Sequence, residues 1–72
     1  MKLKEILSVV RYEANLVIEN EERILFIGHT EEDAVDFKEV AMWHEDDAVL
    51  WLESYVEGTG KDLIKYIRIM VE

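Results

Sequence analysis

Seventy-two residues without one cysteine must hold together by packing alone, since neither a disulfide nor a thiolate zinc site can staple the chain. A core of this size is small, and the length accommodates one domain, 1–72. Half of the residues are apolar, which separates the chain from a disordered acidic tail. With so few residues to cover them, some apolar side chains are expected at the surface, and a homodimer is the expected way to bury them.

Charge constrains the partners more than the fold. Seventeen acidic side chains face eight Lys and Arg, for a net charge of -9. The excess is confined to residues 12–57, where fourteen acids meet only Arg23 and Lys38, a balance of -12. Residues 1–11 contribute +2 and residues 58–72 contribute +1. Such a chain repels nucleic acid and anionic membrane and attracts basic surfaces. No apolar run approaches the ~18 residues of a membrane span. The opening Met1–Leu7 lacks the apolar stretch and cleavage site of a signal peptide, so the cytoplasm is the expected location.

Leu3, Ile6, Leu7 and Val10 recur at helical spacing and predict an N-terminal helix over 2–10. Residues 16–19 and 23–27 read as two strands of a hairpin, with Asn20-Glu21-Glu22 as the turn and Gly28 as the end of the second strand. The stretch 30–57 admits two readings. Thr30 can cap a helix whose first turn holds Glu31, Glu32 and Asp33, and Phe37, Ala41, His44, Ala48, Trp51 and Tyr55 follow at helical spacing. Against a long helix, Glu45-Asp46-Asp47 has the composition of a turn, and its flanks are rich in β-branched and aromatic residues. The expectation is one helical turn near 31–36, then a hairpin of 38–44 and 48–56 about a turn at 45–47. Gly58-Thr59-Gly60-Lys61 breaks the chain; the tail 63–71 fits both a helical stripe (Leu63, Ile64, Ile67, Met70, Val71) and strand alternation, and its β-branched content favours a strand. The sum is an α+β fold: an N-terminal helix packed on a four- or five-stranded, mainly antiparallel sheet.

The opening Met1-Lys2-Leu3-Lys4-Glu5-Ile6-Leu7-Ser8-Val9-Val10, the acidic hairpin after it and the segment Lys38–Leu50 form a pattern across the first 52 residues. It resembles small acidic, uncharacterised proteins of phages and integrated mobile elements of Gram-positive bacteria. That resemblance implies a genomic neighbourhood and no particular activity.

No catalytic constellation stands out. His44-Glu45-Asp46-Asp47 gathers an imidazole and three carboxylates, but it lacks the alternating acids and the glycine of a calcium loop and reads as a solvated turn. His29 and His44 have no nucleophile at a recognisable spacing, and Ser8 and Ser54 sit in no nucleophile elbow. Gly58-Thr59-Gly60-Lys61 lacks the spacing of a phosphate loop, and Asp62 follows its lysine. Glu31, Glu32, Asp33 and Asp36 read as a helix start. Of the aromatic anchors Trp43, Trp51, Tyr55 and Tyr66, Trp43 is followed by His44-Glu45-Asp46-Asp47 and Trp51 by Glu53, which argues against base stacking and for core packing first, an interface second.

The resulting expectation is a non-enzymatic interaction module without metal or cofactor. Its candidate surface is Glu31, Glu32, Asp33, Asp36, Trp43, His44, Glu45, Asp46, Asp47 and Trp51. Its partner is a second copy or a protein with a basic face. The alternative is an inhibitor that mimics nucleic acid and occupies the basic groove of a DNA- or RNA-binding protein. Mimicry requires Glu19, Glu21, Glu22, Glu31, Glu32, Asp33, Glu45, Asp46 and Asp47 to share one face.

Overall fold

A computed structural model of the chain describes residues 1–9 and 14–72. The elements are α1 (Leu3–Val9), β1 (Asn15–Glu19), β2 (Ile24–His29), α2 (Ala34–His44), β3 (Val49–Glu57), a 3-10 turn (Gly60–Asp62) and β4 (Ile64–Val71). The strands form one sheet in the order β2-β1-β4-β3. β1–β2 and β3–β4 are antiparallel, while β1 and β4 run parallel at the centre. The fold is therefore α+β, as expected, with a second helix and four strands.

The first hairpin turns at Asn20, whose side-chain oxygen accepts the N–H groups of Glu22 and Arg23, both at 2.9 Å. An asparagine that satisfies the next backbone donors is a turn residue for that reason. β2 then runs one residue beyond Gly28, which faces Leu16 across the pair. Gly28 has φ +157°, which L side chains rarely adopt, and an added Cβ would also displace the Asp33 carboxylate, so glycine is favoured there.

Strand alternation assigns the two faces of the sheet. Leu16, Ile18, Phe26, Ile67, Ile69 and Val71 share one face, and both helices pack there. α1 supplies Leu3, fully buried, with Ile6 and Leu7 beside it; α2 supplies Phe37 and Val40. Phe37 meets Phe26 with ring centroids 5.5 Å apart. The other face carries Val17, Glu19, Tyr66, Arg68 and Met70 with Trp51, Glu53 and Tyr55 of β3, and no described helix covers it.

The expected hairpin over 38–44 and 48–56 is half wrong. Residues 34–44 are helical, and β3 pairs with β4 rather than with 38–44. Helical spacing turns Phe37, Val40, Ala41 and His44 inward, and contact of that stripe with the core outweighs the β-propensity of Val, Met and Trp. Val35, Met42 and Trp43, off that stripe, are exposed on the outer face of α2. Glu45-Asp46-Asp47 ends the helix instead of turning a hairpin. The N-cap position is Asp33, not Thr30, and its side chain makes no capping hydrogen bond to the helix.

Candidate interaction surfaces

The link after α2 is a dock for α1. The first N–H groups of a helix lack partners within it. Here Leu3 N–H donates to the Asp47 carbonyl and Lys4 N–H to the Glu45 carbonyl, both at 2.9 Å. The Asp46 carboxylate lies 3.3 Å from Lys4 and 3.5 Å from Lys2. Lys4, by hydrogen bond and charge, and then Lys2 hold that carboxyl below its ordinary range. Asp47 meets His44 Nδ1 at 2.7 Å. Three of the candidate residues, His44, Asp46 and Asp47, thus spend their side chains within the chain. Glu45 contributes its carbonyl, and its side chain is exposed.

The start of α2 has a comparable closure. The Asp33 carboxylate accepts the His29 N–H at 2.8 Å, and Asp33 N–H donates to the His29 carbonyl at 2.9 Å. His29 Nδ1 accepts the N–H groups of Glu31 and Glu32 at 3.2 and 3.3 Å. One imidazole nitrogen is therefore engaged in shaping the turn.

Between α2 and the outer edge of β2 runs an open groove made of two hollows that share Leu25, Glu39 and Val40. The larger, about 510 Å³, ends at Trp43 and His44; the smaller, about 260 Å³, is lined by Asp33 and Asp36. Asp33, Asp36 and Glu39 recur every three residues along one wall of the groove, Leu25 and Val40 lie on its floor, and Arg23 lines the larger hollow. Trp43, 72 % exposed, closes one end. The expectation that Trp43 is a core residue is overturned, because the inward stripe of α2 passes through Val40 and His44 instead.

The helix-free face is organised around Arg68. Its Nη2 and Nε donate to Glu19 Oε1 at 2.6 and 3.1 Å, its Nη1 lies 3.7 Å from Glu53, and its guanidinium sits 5.5 Å from the Trp51 ring centroid. Hydrogen bonding and charge from Glu19 hold the Arg68 guanidinium even more firmly protonated than usual. Beside it Tyr55 and Tyr66 stack with centroids 5.2 Å apart and an interplanar angle of 11°. Desolvation, then the Glu57 charge, raises the Tyr55 phenol above its ordinary range. Trp51, 40 % exposed, belongs to this face and not to the core.

Nine of the ten candidate residues thus lie on α2 or its two flanks, and Trp51 lies apart on β3. Along α2 the ends stand ~16 Å apart, so Glu31–Asp33 and Glu45–Asp47 are separate groups. Glu19 is on the helix-free face in an ion pair, away from both. Sequence reasoning missed Glu39 and the Arg68 network. Glu39 was legible once 34–44 is read as a helix, three residues after Asp36; the pairing of Arg68 with Glu19, forty-nine positions away, left no local signal.

Among the described residues no group of three or more His, Asp or Glu converges in the manner of a metal site, and no helix is long and apolar enough to cross a membrane. No family model, curated protein or solved structure matches the chain.

Proposed function

We propose that the chain is a non-catalytic interaction module whose acidic groove receives a basic segment of a partner protein. The observation that carries this reading is the row of Asp33, Asp36 and Glu39 facing the outer edge of β2, which no described strand pairs, across a floor that includes Leu25 and Val40. An extended Lys- or Arg-rich segment satisfies all three features: its backbone adds to the strand edge, its cations face the carboxylates, and alternate side chains cover the floor. Trp43 at the end of the groove offers an exposed ring to a cation.

The test is a titration of the chain with a Lys/Arg-rich peptide, followed by tryptophan fluorescence at low and at moderate salt. Binding that weakens with salt and is lost in Asp33→Asn/Asp36→Asn/Glu39→Gln is the expected result. Binding that survives the triple substitution contradicts the assignment of the groove. A pull-down from host lysate, eluted by salt, then identifies the partner.

A further inference from the structure

The next inference rests on the reading of the chain as an interaction module and concerns a different surface. β3 is an outer strand of nine residues, seven of them exposed. Its beginning is closed: Val49 N–H donates to the Met1 carbonyl at 2.7 Å, and Lys2 bridges Ala48 in antiparallel fashion. A bulge follows between Val49 and Trp51. What remains is a regular stretch from Trp51 to Glu57, ~23 Å long, paired with β4 on one side and with no described residue on the other. Open edges template further strands, and proteins usually guard them with lysine, proline or a covering element. Trp51–Glu57 has neither lysine nor proline, and Leu52 and Val56 are 49 % and 53 % exposed.

Charge decides which strand arrives. Residues 49–72 hold Glu53, Glu57, Asp62 and Glu72 against Lys61, Lys65 and Arg68, a balance of -1, whereas residues 1–48 carry the other -8. Two copies of a chain at -9 repel least where acids are few or paired: Trp51–Glu57 carries only Glu53 and Glu57, and Arg68 of β4 lies 3.7 Å from Glu53. The β2 edge, by contrast, is fronted by Asp33, Asp36 and Glu39.

We propose that Trp51–Glu57 pairs antiparallel with the same stretch of a second copy, about a two-fold axis at Ser54, to give one continuous eight-stranded sheet. The register follows from the open stretch, whose centre is Ser54. Leu52 then faces Val56 of the second copy, Trp51 faces Glu57 and Glu53 faces Tyr55, so no like charges are opposed. A register centred on Glu53 sets two carboxylates against each other. One centred on Leu52 runs into the bulge and the Met1–Leu3 bridge.

The chain has no cysteine, so single cysteines report the register cleanly. Ser54→Cys places two thiols on directly opposed residues, with Cα atoms ~5.5 Å apart and within disulfide reach. Leu52→Cys places them four residues apart along the edge, ~13 Å, out of reach. In a glutathione buffer Ser54→Cys is expected to cross-link about tenfold more than Leu52→Cys, light scattering of the parent chain to give a dimer mass, and Leu52→Lys to give a monomer with an unchanged circular dichroism spectrum. A monomer mass for the parent at every concentration, stronger cross-linking at Leu52→Cys, or a dimer that survives Leu52→Lys would overturn the proposal. A monomer that still binds the basic peptide removes self-pairing and leaves the groove reading intact; a dimer that ignores the peptide does the reverse.

Discussion

β1 and β3 are both apolar strands of one sheet, yet β1 is buried from Leu16 through Glu19 while seven of nine residues of β3 are exposed. Composition does not separate them; neighbours do. β1 has a strand on each side and the helices above it, so even Val17 on the helix-free face, between Ile27 and Arg68, is only 4 % exposed. β3 has one neighbour and no helix packed over its middle. In a chain of 72 residues the two described helices cover one half of the sheet and leave the other half exposed.

The largest expected contrast is between equivalent truncations in the two strands. Ile18→Ala, at a fully buried site, should cost about 3–4 kcal/mol in denaturant unfolding. Leu52→Ala, measured at low concentration, should cost less than about 1 kcal/mol. Equal costs would mean that β3 is covered within a single chain, and the contrast would fail. Arg68→Met comes next. It leaves Glu19, 8 % exposed, without its cation and should lower the melting temperature clearly, though less than Ile18→Ala does because Arg68 itself stays in contact with water. Glu53→Gln at the same cluster should leave the melting temperature nearly unchanged, since the 3.7 Å contact is exposed.

Much of this division was legible in the sequence. Apolar spacing placed α1, apolar runs about the polar turn at Asn20 placed the first hairpin, and β-branched content after the breaker at Gly58 tipped the tail, whose spacing fits both periods, to the strand β4. The stretch 38–44 misled because Val40, Met42 and Trp43 favour strands by type while Phe37, Val40, Ala41 and His44 favour a helix by position; contact with Phe26 settled it, and that contact is not local. The candidate acids were found, but not their employment. That Asp46 and Asp47 serve α1 depends on the chain returning to its own N-terminus.

Two smaller effects sharpen the picture of the covered half. Gly28→Ala should destabilise by about 1–3 kcal/mol in the same unfolding assay, because the added carbon meets the Asp33 carboxylate that closes the β2–α2 turn. Asp46→Asn should have the least effect. Since Lys4 and Lys2 lower the Asp46 pKa in the folded chain, its contribution is present above the ordinary carboxylate pKa and is lost as pH falls through the lowered value. Melting curves across the acidic range should show that component in the parent and not in Asp46→Asn, and salt should erase the difference.

The most direct test of the central claim, that the open half of the sheet is completed by a second copy, is amide hydrogen exchange at two protein concentrations. The account predicts that exchange of Trp51–Glu57 slows as concentration rises, while the outer edge of β2, Ile24–His29, does not change. Exchange in Trp51–Glu57 that is independent of concentration, or a slowing shared equally by β2, would contradict it.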